Sequence, residues 1–290
     1  MTDESRVTRR SVAITGAGSG LGRDLALALA GSHRVFGTTM SDDEAEDVTA
    51  ASNGRVTLTV CDITDRAAVA RWAGQVADSL GAAGLDALVG NAAVVTPGPL
   101  ELLDPEDVRR EFEVNVFGAM AVINAFLPAL RRARGRIVQI GSTTAAFPLP
   151  FLGMLGASKA AMDTLADAYR MELRQFGVDF VVAVPGSMRT GSQERVVAEL
   201  RELANTLTDG QRALYGESFG GFVDGLRNLE AGGMTSEQAV AEIAELIDAV
   251  PVPARVPVGE EAEEILRLVR ESPDAELDAL RMGLVGLTEA

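Results

Sequence analysis

The residues with the clearest capacity for chemistry lie near the middle of the chain, around Leu155. Of the 26 lysines and arginines in the sequence only one is a lysine, Lys159, four residues after Leu155. A lysine ammonium is a compact charge with rotatable donors, and the planar arginine fork replaces it poorly where the fit is tight. Ser142 lies thirteen residues before Leu155. Serine and lysine can hydrogen-bond a substrate or transfer a proton, whereas Leu155 between them can neither donate nor accept one.

A glycine-rich segment near the start of the chain is the second candidate site. It reads Thr-Gly-Ala-Gly-Ser-Gly-Leu-Gly over residues 15–22, between a predicted strand and a predicted helix. Its glycines let the backbone turn sharply and approach a pyrophosphate, whose charge is stabilised at the helix N-terminus. The strand–turn–helix context makes the motif specific. The loop predicts a dinucleotide site formed by Gly16, Ser19, Gly20, Leu21 and Gly22.

Strand and helix patterns alternate along the chain, which predicts a parallel sheet covered by helices on both faces. Ser41 followed by Glu44 reads as a capping box, and Asp104 with Pro105 as the start of a long helix. The predicted strands are 11–15, 34–39, 56–60, 85–89, 136–140, 178–184 and an edge strand at 252–258. Besides those two, the predicted helices are 20–30, 67–80, 156–176, 193–204, 209–215, 220–231 and 236–249, with a mostly helical tail at 260–284.

This order of elements predicts one α/β domain, a doubly wound parallel sheet of the Rossmann type. Residues 10–190 are expected to form the dinucleotide-binding core and the active-site helix. Residues 191–250 would form a helical lid over the substrate, and residues 251–290 the last strand and a helical tail. The sequence shows no internal repeat and no low-complexity linker that would divide it further.

Taken together, these motifs resemble the short-chain dehydrogenase/reductase family over about residues 10 to 190. The active-site helix of that family reads Tyr-x-x-x-Lys, with a serine thirteen residues before the tyrosine, so Leu155 stands at the tyrosine position. The resemblance implies that Asn115 holds a water and the lysine, and that NAD or NADP is the cofactor. It implies further cofactor contacts from Asp62, Ile63, Asn91, Ala92, Lys159, Pro185, Gly186, Met188 and Thr190.

The choice between the two cofactors stays open. A carboxylate at the end of the second strand would bind the ribose 2′-hydroxyl, and an arginine there would bind a 2′-phosphate. The chain has Thr39 and Met40 at this point, followed by Ser41 and the acidic residues 42–44. Hydroxyl groups could bind a phosphate, but the acidic residues disfavour it, and Met40 stands where NADP-type relatives carry arginine. A site without a cofactor is the third alternative.

The missing tyrosine determines which chemistry remains. In the family the tyrosine transfers the proton, the lysine lowers its pKa and binds the ribose, and the serine orients the carbonyl. Loss of a placed acid costs about 10²–10⁴ in rate. Tyr215, Ser142 or a bound water could replace it, whereas Tyr169 is about 21 Å along the helix and His33 lies at the opposite end of the sheet. An apolar substrate pocket, as in relatives that act on lipophilic alcohols and ketones, is expected from Thr143, Leu149, Phe151, Met154, Leu155 and Tyr215.

Three functions therefore stay open. The first is an enzyme without net redox chemistry that cyclises, isomerises or eliminates from a lipophilic substrate beside a retained cofactor pocket. The second is an oxidoreductase with a displaced or water-borne proton donor, and the third is a silent binding or scaffold protein. In all three, Ser142, Asn115 and Lys159 are the retained residues of the catalytic centre.

Composition restricts the partners. A net charge of −16 disfavours nucleic acids and anionic membranes, which repel an acidic surface. The single cysteine, Cys61, cannot form an internal disulfide and suits a reducing cytoplasm. The longest weakly polar run, 145–158, is too short and too broken to span a bilayer. The family resemblance implies a homodimer or homotetramer, and no metal site is expected.

Overall fold

The computed structural model describes residues 9–189, 191–284 and 286–287, which build a parallel sheet with helices on both faces. Seven strands pair in the order β3-β2-β1-β4-β5-β6-β9, all parallel. The predicted doubly wound α/β fold is confirmed. The seven strands are β1 Ser11–Ile14, β2 Arg34–Thr39, β3 Val56–Val60, β4 Ala87–Gly90, β5 Arg136–Ile140, β6 Asp179–Pro185 and β9 Arg255–Val258. A separate pair consists of β7 Met188–Arg189 and β8 Met234–Thr235.

Helices connect the strands and form the outer layers. They are α1 Gly20–Leu29, α2 Asp42–Ala51, α3 Arg66–Leu80, α4 Pro105–Phe112, α5 Ala119–Ala133, α6 Gly153–Leu173, α7 Gly191–Thr206, α8 Asp209–Gly232, α9 Ser236–Asp248, α10 Glu260–Glu271 and α11 Asp274–Leu284. A π-helical turn, Glu113–Gly118, joins α4 to α5.

The core consists of two apolar layers, one on each face of the sheet. Central strands of a parallel sheet are covered on both faces, so their side chains are apolar in succession rather than in alternation. On β1, Val12 and Ile14 pack into the layer with α1 and α9, while Ala13 packs into the layer with α3, α5 and α6. Trp72 and Phe126 anchor the second layer with ring centroids 4.7 Å apart in an edge-to-face arrangement. These layers fix the strand ends that carry the site.

The strand order places the candidate site at one edge of the sheet. The chain leaves β1 toward β2 on one side, whereas β4 lies on the other side of β1. Such a reversal creates a crevice outside the carboxyl ends of the strands, where ligands bind in open α/β sheets. The glycine loop follows β1, Asn91 follows β4, Ser142 follows β5, and Pro185 ends β6. Residues far apart in sequence therefore meet at the crevice.

The structure corrects several predicted boundaries. The active-site helix α6 begins at Gly153, three residues before the predicted start at 156, so Leu155 lies in its first turn. The helices predicted at 209–215 and 220–231 form one helix, α8. The intervening glycines weaken a helix by about 1 kcal/mol each. Phe219 and Phe222 are buried with Leu152 and Leu200 in an apolar cluster, the lid cluster, and this packing stabilises the continuous helix.

The continuous helix over Pro105–Ala133 is, among the described residues, the one that is long and apolar enough by length and composition to cross a membrane. The sequence had placed its longest weakly polar run elsewhere, at 145–158. Half of the apolar window of this helix is buried inside the domain, where Val122, Ile123 and Phe126 pack into the core. Core helices of globular domains share this composition.

Candidate cofactor and active site

The glycine loop after β1 is folded tightly against β2. Gly16 and Gly20 have φ angles of +64° and +52°, in the left-handed region that glycine adopts without steric cost. Gly16 N–H donates to Thr38 Oγ1 (3.0 Å) and Ala17 N–H to Thr38 O (2.7 Å). The second strand therefore holds the loop in place before any ligand arrives.

Asn91, at the end of β4, secures the other side of the loop. Its side-chain amide donates to the carbonyl oxygens of Thr15 (3.0 Å) and Gly16 (3.2 Å). The backbone N–H groups of Asn91 and Ala92 donate to Thr15 Oγ1 at 2.9 and 3.0 Å. Asn91 and Ala92, predicted as cofactor residues, thus shape the loop from beneath.

The start of α1 fits the pyrophosphate of a dinucleotide. Ser19, the N-cap residue, makes no side-chain capping bond, so the first N–H groups of the helix keep their capacity to bind an anion. A Cβ atom on Gly20 would meet nothing within 4 Å, whereas one on Gly22 would clash with Gly16 O and Asn91 Nδ2. The backbone at Gly20 is therefore open to a ligand, whereas Gly22 is packed against the loop. The side chain of Leu21, between them, is buried in the core.

The adenosine side of the site is formed by the ends of β2 and β3. Thr39 is buried and Met40 is 63% exposed. Asp62 Oδ1 accepts hydrogen bonds from Thr64 N–H (2.9 Å) and Thr64 Oγ1 (2.8 Å), which orients the exposed carboxylate at the end of β3. Ile63 is buried against Gly118 of the π-helical turn. The adenine contacts predicted for Asp62 and Ile63 stay predictions.

The loop after β6 is held by a residue that the sequence did not identify, Glu261 of α10. Its carboxylate accepts hydrogen bonds from Ser187 N–H (2.5 Å) and Ser187 Oγ (3.0 Å). Gly186 N–H donates to Val258 O (3.3 Å). The predicted nicotinamide contacts Pro185, Gly186 and Met188 lie in this loop, and Thr190 lies outside the described residues. In the sequence Glu261 is one of several acidic residues in the first turn of a helix. Such residues are common on protein surfaces, so its contact with Ser187 was not predictable.

The structure brings Ser142 and Lys159 to the same strand end. Lys159 Nζ donates to the carbonyl oxygen of Ile140, the last residue of β5 (2.8 Å), and Ser142 follows two residues later. Gly156 of α6 packs against the turn after Ser142, where a Cβ would lie 2.9 Å from Thr144 O. Leu155 is half-buried one helical turn before Lys159. The catalytic roles expected for the serine, leucine and lysine stay predictions.

The Ser142 hydroxyl accepts two hydrogen bonds, and its own proton can still be donated. Its Oγ accepts hydrogen bonds from Thr144 N–H (3.1 Å) and Thr144 Oγ1 (2.8 Å). A serine hydroxyl carries one donor in addition to its acceptor positions. The Ser142 O–H is therefore the group that can donate to a substrate oxygen at this strand end.

Asn115 supports the active-site helix through Ser158 rather than through Lys159. In the π-helical turn its Oδ1 accepts from Val94 N–H (2.8 Å), and its Nδ2 donates to Val94 O (2.8 Å) and Ser158 Oγ (3.1 Å). Lys159 Nζ donates to Ile140 O, and the role implied for Asn115 by the family resemblance, to hold a water and the lysine, stays a prediction. The asparagine thus ties the loop after β4 to α6.

A buried carboxylate beneath α6 is the main feature that the sequence interpretation missed. Glu111 is fully buried, and it accepts hydrogen bonds from Thr96 N–H (2.7 Å) and Ser158 Oγ (3.2 Å). Asn115 Nδ2 lies 3.5 Å from its Oε1. The spacing of Glu111 and Asn115, four residues apart on one helix, was a signal for a shared face, but it does not reveal burial.

Burial shifts two pKa values at this centre. Desolvation lowers the pKa of the Lys159 ammonium to about 8, although the charges of Asp163 and Glu111 act in the opposite direction. Desolvation also raises the pKa of Glu111, and its hydrogen bonds with Thr96 and Ser158 and the charge of Lys159 offset part of that rise. The lysine is therefore a weaker base than a solvated one and gives up its proton more readily near neutral pH.

The other predicted proton donors are engaged elsewhere. Tyr215 Oη donates to Glu101, and this hydrogen bond raises the pKa of the phenol. Tyr169 Oη donates to Asn124 Oδ1 (3.0 Å), and its ring stacks on Phe180. The buried His33 lies beside Asp248 of α9 (3.5 Å), at the N-terminal end of β2. Ser142 and Lys159, at the end of β5, stay the candidate proton-bearing side chains of the predicted centre.

The expected apolar wall divides between the active site and the lid. Phe151 has a φ of +60°, uncommon for a bulky residue, and its ring packs on Phe222 and Phe219 with centroids 5.0 and 5.3 Å away. Leu149 and Tyr215 join the same lid cluster. Met154 and Leu155 are half-buried at the start of α6, and Thr143 opens the turn after Ser142. A cavity of about 280 Å³ lies between α7 and α8, lined by lid residues.

Comparison with known proteins gives consistent matches. The chain matches the short chain dehydrogenase family over residues 10–201. It is 32% identical to retinol dehydrogenase 7 from Rattus norvegicus, over 74% of this chain and 69% of that protein. It is 30% identical to 3-ketodihydrosphingosine reductase from Bacteroides thetaiotaomicron, over 86% and 87%. A short chain dehydrogenase from Burkholderia cenocepacia in complex with NADP superposes with a TM-score of 0.73 at 26% identity, over 94% of this chain and 97% of that one. These matches support NAD(P) binding in general.

Proposed function

The chain belongs to the short chain dehydrogenase family, and from that premise we propose that it binds a nicotinamide dinucleotide and converts a lipophilic small molecule without net hydride transfer. The reaction class would be a cyclisation, isomerisation or elimination. The observation that carries the proposal is the leucine at position 155, beside a retained Ser142 and Lys159. We infer from it that the site keeps its binding residues and lacks the tyrosine that would donate the proton in carbonyl reduction.

The chain's own groups can support such a reaction by orientation and hydrogen bonding. The Ser142 O–H can hold a substrate oxygen, since its acceptor positions are already used by Thr144. The Lys159 ammonium is held at the same strand end by Ile140 O. Holding a substrate in a reactive conformation supplies up to several kcal/mol of the barrier. A bound nicotinamide ring would offer a hydride donor or acceptor, and beyond that a flat apolar surface.

An apolar substrate fits the chemistry around position 155. Leu155 and Met154 present half-buried apolar side chains at the start of α6, where a tyrosine hydroxyl would stand in relatives. Two of the similar proteins are named for retinol and 3-ketodihydrosphingosine, both lipophilic. These names support the substrate class and no individual substrate.

One observation favours a second candidate function, an oxidoreductase with a different acid. The pKa of Lys159 is lowered to about 8 by its burial, close to the range in which a general acid is effective at neutral pH. Lys159 could then protonate a substrate oxygen itself, directly or through Ser142. In that case Lys159→Met would abolish an activity that wild type shows.

The experiment compares wild type with Leu155→Tyr and with Leu155→Phe, which adds a ring of similar size without the hydroxyl. Calorimetry measures the binding of NAD⁺, NADH, NADP⁺ and NADPH to each. Absorbance at the nicotinamide band then measures turnover with a panel of lipophilic alcohols and ketones that includes retinol and 3-ketodihydrosphingosine.

We expect all three proteins to bind a dinucleotide and only Leu155→Tyr to oxidise or reduce it, with a gain of about 10²–10⁴ over wild type. Turnover by wild type would favour the oxidoreductase candidate. Chromatography of the reaction mixtures measures conversion of the ligand itself: a ligand changed by wild type without nicotinamide turnover supports the proposal, and binding without conversion of any ligand would favour a silent binding protein. If none of the three proteins binds a nicotinamide, the proposed cofactor site is wrong.

A further inference from the structure

A carboxylate reaches the adenosine end of the dinucleotide site from an unexpected element. Glu44 belongs to the first turn of α2, and its side chain turns back to the end of β2, where it accepts a hydrogen bond from Thr39 Oγ1. Met40 N–H lies 3.4 Å from the same carboxylate oxygen. A complete capping box would direct this carboxylate to the N–H of Ser41, but only the reciprocal bond forms, from Glu44 N–H to Ser41 Oγ (3.2 Å).

The carboxylate of Glu44 also touches the glycine loop. A Cβ atom on Gly18 would clash with Thr39 Oγ1 and would lie 2.5 Å from Glu44 Oε2. Gly18 precedes by two residues the open position, Gly20, that fits the pyrophosphate. In this kind of fold an acidic residue beyond β2 binds the 2′-hydroxyl of the adenosine ribose. Glu44 therefore lies where the ribose would come, although it is not a residue of the strand.

The charges around this position disfavour a 2′-phosphate. Asp42 and Asp43 are exposed in the same helical turn as Glu44, so the N-terminus of α2, which would attract an anion, already carries three carboxylates. Arg23 of α1 donates two hydrogen bonds to Asp47 Oδ2 (3.1 and 2.9 Å), which directs its charge to the contact between α1 and α2. Exposed Met40 adds no charge.

We propose that Glu44 selects the cofactor, because its carboxylate accepts a hydrogen bond from the 2′-hydroxyl of NAD(H) and repels the 2′-phosphate of NADP(H). The inference rests on the proposed dinucleotide binding and extends it by naming the cofactor. It distinguishes this chain from the solved neighbour that is in complex with NADP. The selecting residue lies on α2, held in place by Thr39.

The test is calorimetric titration of NAD⁺ and NADP⁺ into wild type, Glu44→Gln and Glu46→Gln. Glutamine keeps the length of Glu44 and its hydrogen bond with Thr39 but removes the charge, and Glu46 is an exposed acid on the same helix. We expect wild type to bind NAD⁺ about tenfold more tightly than NADP⁺, as one partly screened repulsion predicts. Glu44→Gln should bring the two dissociation constants close to each other, mainly by tightening NADP⁺, and Glu46→Gln should keep the wild-type ratio. Thermal unfolding checks that each variant is folded.

Four outcomes would overturn the inference. If wild type binds NADP⁺ as tightly as NAD⁺, or more tightly, the proposed selectivity does not exist. An unchanged ratio in Glu44→Gln, or an equal change in Glu46→Gln, removes the role of Glu44. Failure of wild type and Leu155→Tyr to bind either dinucleotide overturns the proposed function and this inference together, whereas a preference for NADP⁺ overturns this inference alone.

Discussion

The glycine loop and the start of α6 lie at the same edge of the sheet, yet only the first keeps every feature of its motif. The loop has its glycines, its left-handed turns and its ties to Thr38 and Asn91. The start of α6 keeps Ser142 and Lys159 but has Leu155 in place of the proton donor. The loop proposed to bind the cofactor and the centre proposed to lack the proton donor are therefore built by different strands and helices.

The residues beneath the start of α6 are as well ordered by hydrogen bonds as those of the glycine loop. Beneath Leu155, Glu111, Asn115 and Ser158 form a buried hydrogen-bonded cluster. Buried polar groups are costly unless they are paired, and these are paired with one another and with the backbone at Thr96 and Val94. The support of the catalytic helix is intact where its reacting group is absent.

The largest effect that would test this view concerns Glu111. Glu111→Ala leaves the Thr96 N–H without its buried partner, removes one of the hydrogen bonds of the Ser158 hydroxyl and opens a cavity. We expect a loss of about 2–4 kcal/mol in the free energy of unfolding, measured by urea denaturation. The exposed neighbour Glu113 is the matched control, since Glu113→Ala should stay within about 0.5 kcal/mol of wild type. Equal effects of the two substitutions would mean that the buried cluster does not support α6.

The second effect concerns the glycine loop. A Cβ on Gly22 would clash with Gly16 O, so Gly22→Ala should force the loop away from the geometry that fits a pyrophosphate. We expect the dinucleotide dissociation constant to rise about 100-fold, or by about 2.7 kcal/mol, in calorimetric titration.

Gly31 provides the control for this loop variant, because a Cβ there meets nothing within 4 Å. Gly31→Ala should bind the dinucleotide as wild type does. Should Gly22→Ala also bind like wild type while remaining folded, the intact loop would not be the cofactor site, and the contrast between the two regions would disappear.

A third, smaller effect follows from the buried ammonium of Lys159. Its pKa in the folded protein, about 8, lies below the ordinary value of 10.5, so the unfolded chain binds more protons between these values. The lysine therefore destabilises the folded state most below pH 8, and that cost falls as the pH rises toward 10.5. Relative to Lys159→Met, wild type should gain about 2 kcal/mol in unfolding free energy from pH 7 to pH 9.5.

Urea denaturation of both proteins at pH 7, 8 and 9.5 measures this difference. Other groups that titrate in the same range are present in both proteins and cancel. Parallel pH profiles would show that Lys159 is solvated, and the second candidate function, in which the lysine serves as the acid, would lose its basis.

The sequence predicted those parts of the molecule whose signals are local. The glycine loop, the strand–helix alternation and the spacing of Ser142, Leu155 and Lys159 all depend on residues near one another in the chain. Glu111 and Glu261 were missed because their partners are distant: Ser158 lies 47 residues from Glu111, and Ser187 lies 74 residues from Glu261. An acidic residue in a helix usually faces solvent, so only the packing reveals that these two are structural.

The smallest expected effect belongs to Tyr215, and it tests whether the altered centre truly lacks an acid. Its hydroxyl donates to Glu101, which raises the pKa of the phenol, and its ring packs 6.5 Å from that of Phe151. Tyr215→Phe keeps the ring and removes only the hydroxyl. We expect the reductase activity of Leu155→Tyr to change by no more than about twofold when Tyr215→Phe is added. A wild-type activity that disappears in Tyr215→Phe would instead identify the lid tyrosine as the proton donor. The active site would then have a proton donor after all, supplied by α8 instead of α6, and the contrast with the glycine loop would disappear.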